Sequence, residues 1–154
     1  MSNTLNGTDT SVQQKVSREI IAHDFHTAMT GKLDDKVISS VKKQILTAST
    51  SYPATGSVVS MIFFLKFQVT VDGGETFNGK GGGISSPGGG ALFGDVYTDD
   101  INLLYANTQS MQFNCAFAYT SILFFDGSSN LLGSFQSGSV STVAGIGGGT
   151  GSWS

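Results

Sequence analysis

From residue 58 onward the apolar residues of this chain recur every second position, and that period restricts the fold more than any other feature. In M-I-F-F-L-K-F-Q-V-T-V (61–71), Met61, Phe63, Leu65, Phe67, Val69 and Val71 hold the odd positions, while Lys66, Gln68 and Thr70 hold even ones. Successive side chains of a strand point to opposite faces, so the segment reads as a strand with one buried face. The run 109–125 repeats the pattern: Met111, Phe113, Cys115, Phe117, Tyr119, Leu123 and Phe125 alternate with Ser110, Gln112, Asn114, Ala116, Ala118 and Thr120. Strands buried on one face belong to antiparallel sheets. The reading therefore buries Phe63, Phe67, Phe113, Phe117 and Phe125 and exposes Lys66, Gln68, Gln112 and Asn114. Asp72-Gly73-Gly74 and Asp126-Gly127-Ser128-Ser129 are hairpin turns. Thr98–Tyr105 reads as a short helix capped by Thr98, its first turn complemented by Asp99 and Asp100.

The two hairpins match. Asp72-Gly73 with Phe77 and Gly79 corresponds to Asp126-Gly127 with Leu131 and Gly133, so two β-rich halves flank the short helix. A sheet closed on itself leaves no unpaired edge, which makes a closed barrel the economical architecture. About ten large apolar side chains point into it, enough to fill a small barrel and leave no ligand cavity.

Ahead of the strands the period is helical. Thr10-x-x-Gln13 is a capping-box pattern, and Gly31 stands where a C′ glycine would end a helix, giving helices over 11–29 and 33–46. The first carries Val12, Val16 and Ile20 on one side and Ile21, Phe25, Ala28 and Met29 nearly opposite. The second has a single stripe of Leu33, Val37, Ile38, Val41 and Ile45. A helix apolar on two sides needs two neighbours. The surplus face, Ile21, Phe25 and Met29, with Lys36 and Lys43 nearby, is a candidate contact for the second helix, the barrel, a partner chain in a homo-oligomer, or a lipid surface. The domain division is a flexible terminus (1–9), a helical arm (10–46), a linker (47–57) and a β-barrel domain (58–153).

Charge narrows the function. Residues 47–154 hold only Lys66 and Lys80 against six acids, together with 19 of the 21 glycines. A duplex reader needs a basic stripe to displace phosphate counterions, so nucleic acid is excluded as a partner. G-E-T-F-N-G-K-G (74–81) nearly matches a phosphate loop, but Gly81 replaces the hydroxyl residue that would hold magnesium and no helix follows; it reads as a turn and a strand. Its glycine runs read as strand corners and close backbone crossings.

No His lies in 47–154, so no Ser-His or Cys-His pair can form there. His23 and His26 are three apart with no recognisable third metal ligand. Cys115, the one cysteine, alternates with Phe113 and Phe117 and reads as a buried thiol of raised pKa. No catalytic residue, cofactor or metal site is implied. The longest apolar stretch, Val58–Leu65, is too short to span a membrane as a helix. Residues 2–10 hold neither a basic n-region nor an apolar h-region, so no signal peptide is visible and the chain reads as leaderless or mature.

The segments K-F-Q-V (66–69), G-G-G-I-S-S-P-G-G-G-A-L-F-G (81–94), T-D-D-I-N-L-L-Y (98–105) and F-F-D-G-S-S-N-L-L-G-S-F-Q-S-G-S-V-S-T-V-A-G-I-G-G-G-T-G-S-W (124–153) together resemble the Vap family, the virulence-associated proteins of an intracellular actinobacterial pathogen. The likeness covers about residues 52–153. It implies a compact eight-stranded antiparallel barrel of double Greek-key order with one short helix, a packed interior and no known catalysis. It also implies secretion and a role in the host endolysosomal compartment. Family members have a signal peptide and a low-complexity N-terminal extension, where this chain has a helical arm.

Two functional readings follow. One is a non-enzymatic Vap-like effector that works through its surface on a host membrane or host protein. The other is a sugar-binding or adhesive β-module, with Tyr97 and Trp153 as candidate stacking rings on a Gly-, Ser- and Thr-rich surface.

Overall fold

Strand pairing closes the period-two region on itself. A computed structural model describes residues 7–48 and 50–154, with side chains described from Arg18 onward except at position 49. The chain divides into two units after Ala48. The second is built from β1 (Thr50–Ser60), β2 (Phe64–Val71), β3 (Thr76–Ser85), β4 (Gly88–Thr98), the helix α3 (Ile101–Asn107), β5 (Ser110–Cys115), β6 (Tyr119–Phe125), β7 (Leu131–Ser141) and β8 (Gly145–Trp153). Every pairing is antiparallel, and the order β1-β2-β3-β8-β5-β6-β7-β4 returns to β1, closing an eight-stranded barrel. Each half, β4-β1-β2-β3 and β8-β5-β6-β7, has its fourth strand beside its first, which is the Greek-key order. The matched Asp-Gly turns occupy equivalent places, joining second to third strand in each half.

The halves meet along two seams. At β3–β8, glycine faces glycine in three consecutive pairs, Gly81↔Gly149, Gly82↔Gly148 and Gly83↔Gly147. A Cβ at Gly149 would fall on the Lys80 carbonyl oxygen, so the glycines permit the close backbone approach that closure demands. Inside, Leu65, Phe67, Phe77, Phe113, Phe124 and Phe135 are buried and the rings interlock. Phe77 meets Phe124 at 4.9 Å and Trp153 at 5.5 Å between centroids, while Phe67 meets Phe113 at 4.8 Å. Such tilted and edge-on ring pairs add stability beyond the area they bury.

Several boundaries differ from the sequence expectation. The segment 47–57 is not a linker: the barrel starts at Thr50, and most of that stretch is β1. Pro53 is tolerated in β1 because it precedes the β1–β2 ladder, which begins at Ala54↔Val71, so no backbone donor is missed. α3 is capped by Asp100, whose Oδ1 accepts from the amides of Asn102 and Leu103 at 3.0 and 3.1 Å. Thr98 instead ends β4 and donates its hydroxyl to the Leu132 carbonyl.

The run 109–125 is a hairpin, not one strand, turning at 116–118. Cys115 pairs with Thr120 and Phe113 with Ile122, so odd residues of β5 share a face with even residues of β6. Phe113 is buried as expected, but Phe117 projects from the turn and is exposed, and Phe125 is half-buried. Phe67 is buried too, whereas Phe63 lies in the β1–β2 turn beyond the barrel wall and is exposed. Lys66, Gln68 and Gln112 are exposed and Asn114 is half-buried.

The first unit is a helical hairpin of α1 (Gly7–Met29) and α2 (Asp35–Thr47), which pack on each other. Gly31 takes φ +83°, a left-handed conformation that glycine adopts without steric cost, and it closes α1 as the sequence indicated. α1 starts at Gly7, so part of the expected flexible 1–9 segment is helical and the Thr10–Gln13 pattern lies inside the helix. Residues 1–6, and the side chains of Val12 and Val16, lie outside the described residues. Ala22, Phe25 and Met29 on α1, and Ile38, Val41 and Ile45 on α2, are buried.

Candidate functional site

With its interior occupied by apolar side chains, the barrel offers its chemistry on the outside. The arm residues named from sequence are divided by the structure. Phe25 and Met29 are buried and present no free apolar face, Ile21 is half-buried, and Lys36 and Lys43 are exposed. The α1 stripe was apolar because it is buried, and periodicity alone could not distinguish that from a docking face.

The candidate stacking rings are displaced from the surface as well. Trp153, the last residue of β8, packs against Phe77, Phe124 and Tyr105 and is only 7% exposed. Tyr97, beside the core residue Val96 on β4, is 2% exposed. Neither offers a ring face to a sugar. A C-terminal Trp at an inward strand position fills the barrel end.

The chemistry of the remaining candidates follows from their surroundings. Burial pushes the Cys115 thiol up to about 12, with a smaller opposing hydrogen bond to Thr120, so it carries no thiolate at neutral pH. His26 Nδ1 lies 2.9 Å from the Lys42 ammonium within the helical hairpin, and His23 is exposed. Among the described residues no group of three His, Cys, Asp or Glu side chains is placed to hold a metal ion. Asp126 accepts from the Ser128 and Asn130 amides and from the Asn130 side chain at 2.9–3.0 Å. Its carboxyl is held below the usual carboxylate range, chiefly by the Asn130 side chain. That is the work of a turn.

Among the depressions of the outer wall, two have polar side chains in their lining. One, of about 330 Å³, is lined by Ser57, Val59, Lys66, Gln68, Asn78 and Lys80. Lys66 and Lys80 stand directly opposite each other on β2 and β3. Sequence reasoning missed this pair, although the signal was present: both lie seven residues from Gly73, the centre of their hairpin. The other depression, of about 520 Å³, is bordered by Thr55, Thr70, Asp72 and the exposed ring of Phe93. No helix among the described residues is long and apolar enough to cross a membrane.

A closed eight-stranded barrel of double Greek-key order, its interior packed with apolar side chains, defines a structural class of small β-barrel proteins. The comparisons identify which. The family model of the Rhodococcus equi virulence-associated protein matches residues 8–154, and the chain belongs to that family. Two solved structures from the intracellular pathogen Rhodococcus equi agree. The virulence-associated protein VapD is 40% identical, covers 68% of this chain and 97% of its own, and superposes with a TM-score of 0.67. VapB is 42% identical, covers 68% and 96%, and has a TM-score of 0.64. No curated protein sequence matches the chain. The molecule is a virulence-related protein with the Vap barrel.

Proposed function

We propose that this chain is a secreted, non-enzymatic effector that acts through its outer surface on a host membrane or host protein, in the endolysosomal compartment. The observation that carries the reading is the contrast between inside and outside. The interior is occupied by interlocked rings, while large apolar side chains stand exposed on the wall and turns. Exposed apolar patches on a soluble domain mark interaction sites. Family membership supports the link to virulence. The test is co-flotation of the full-length chain with vesicles of endolysosomal lipid composition, run beside affinity capture on immobilised host endolysosomal proteins. Binding to either supports surface action, and binding to neither removes it. Export is checked by following the chain into the medium of the bacterium that makes it.

A sugar-binding role draws on a different observation. Phe93 exposes its ring beside Thr55, Thr70 and Asp72, an aromatic platform with polar neighbours of the kind sugars require. A glycan array with Phe93→Ala as control tests it: specific binding lost in the variant supports a glycan site there, and an array without hits rejects it.

A further inference from the structure

The antiparallel connectivity gathers four hairpin turns at one end of the barrel: β1–β2, β3–β4, β5–β6 and β7–β8. Met61, Ile62 and Phe63 project from the first turn, Ile84 and Ile146 face each other as a cross-strand pair beside the second and fourth, and Phe117 projects from the third. Phe63 is 69% exposed, Ile84 76% and Phe117 61%. No charged residue lies in any of the four turns. The six acids of the barrel unit are all elsewhere: Asp72 and Glu75 in the β2–β3 turn, Asp126 in the β6–β7 turn, Asp99 and Asp100 ahead of α3, and Asp95 near the end of β4 that leads to it. One end of the barrel is therefore acidic and the other apolar.

We infer that the apolar end docks on an anionic lipid surface, with Lys66 and Lys80 receiving the headgroup charge. This deepens the membrane form of the proposed function and rests on it. Two observations favour a lipid partner over a protein. First, four serine hydroxyls of this end lash the turns together. Those of Ser60 and Ser85 bond each other, Ser86 donates to the Thr142 carbonyl, and Ser139 donates to Ala116. A protein interface spends such groups on hydrogen bonds across the contact, whereas a lipid interface favours backbone and hydroxyls satisfied internally.

Second, the charge is complementary. Lys66 opposes Lys80 across β2 and β3, an arrangement that repels unless an anion sits between. None of β1, β2, β3 or β8 contains an acid to serve. Both lysines line the 330 Å³ depression with Gln68, Asn78 and Ser57, and Val59 at its rim is exposed. Lys66 lies two residues from the hairpin-turn end of β2, within reach of the headgroup layer when the turns enter the interface. Apolar tips with basic residues set behind them are the composition of an interfacial anchor.

The test uses the full-length chain with vesicles of phosphatidylcholine, with and without phosphatidylserine. The chain should float with the anionic vesicles and less at high salt. Phe63→Ser with Ile84→Ser should lower the bound fraction roughly tenfold while leaving the thermal midpoint in place, since both side chains are already exposed. Lys66→Glu with Lys80→Glu should abolish the preference for phosphatidylserine. Phe63→Trp supplies an emission that should shift to the blue and be quenched by brominated lipid, while Trp153, buried at the opposite end, is not. A serine variant that floats as well as the wild-type chain, with an unquenched Phe63→Trp, would overturn docking through the apolar end and leave membrane action standing. Equal flotation on both vesicle types overturns the lysine assignment. A wild-type chain that floats with neither removes the inference together with the membrane form of the proposed function.

Discussion

The two ends of the barrel are built from the same strands by opposite means. At the acidic end the interior is filled by rings: Phe77, Phe124, Tyr105 and Trp153 meet with centroids 4.9–5.5 Å apart beneath α3 and two Asp-Gly turns. Towards the hairpin-turn end the rings give way to Phe67 and Phe113 among smaller side chains, Val58, Leu65, Cys115 and Val143, and glycines; an added Cβ at Gly81 or Gly147 would meet the Phe113 ring. Large apolar side chains appear there on the outside instead. The difference separates two uses of hydrophobic residues. At one end they hold the fold together, and at the other they are left in water.

The strongest way to break that comparison is to truncate one ring from each end. Phe77→Ala removes a ring that touches two others, Phe113→Ala a ring that touches one, and both lie in the range of about 3–5 kcal/mol. Denaturant melts should place Phe77→Ala nearer the upper figure; the reverse order would mean the acidic end is not the anchor. Gly149→Ala probes the seam. Its methyl group would fall on backbone, which cannot yield as a side chain can, so a loss of about 1–3 kcal/mol is expected. An unchanged midpoint would show that the seam has room.

A gain is expected at the apolar end. Ile62 adopts φ +76°, costly for a β-branched residue, and its carbonyl is held there by the Ser85 amide and hydroxyl. Ile62→Gly should stabilise the barrel by about 1 kcal/mol while removing one apolar tip, so calorimetry and vesicle binding should move in opposite directions. A loss of stability would show that the side chain is buried in use.

The smallest effect belongs to the acidic end. The Asp126 carboxyl is held below its ordinary value by Asn130 and the turn amides, so its folded pKa lies under its unfolded one. Its contribution is present at neutral pH and is lost as pH falls through the folded value. Asp126→Asn should flatten that part of the acid-unfolding profile, measured by far-ultraviolet circular dichroism. A profile that superposes on the wild type would rule the turn out as a source of acid sensitivity.

Much of the wall was legible in the chain. The alternation of Leu65, Phe67, Val69 and Val71 set which face of β2 is buried, because a strand cannot change faces without an inserted residue. Gly31 ended its helix, the Asp-Gly turns fell at equivalent places in the two halves, and Cys115 was buried with a raised pKa. The candidate site was less legible. Five consecutive apolar residues, Met61 to Leu65, blur the alternation, and the sequence reading took the whole segment as strand where its first three residues form a turn. Lys66 and Lys80 were visible as residues but not as a pair until the hairpin was folded about Gly73.

The sequence by itself determined the local grammar: which residues alternate, where the chain turns, and that six of the eight basic residues lie before residue 47. Those are properties of neighbours along the backbone, fixed by steric period and turn chemistry. Tertiary structure alone decided where each strand stops and what lies beyond it. Phe63 and Phe113 both continue an apolar period, but only Phe113 has strands on either side of it and rings across the barrel, while Phe63 lies past the last pairing of β2. Trp153 and Phe93 are both large aromatic residues on strands, and inward or outward position buries one and exposes the other. Burial is a property of the closed sheet, set by partners tens of residues away, and no period within one segment encodes it.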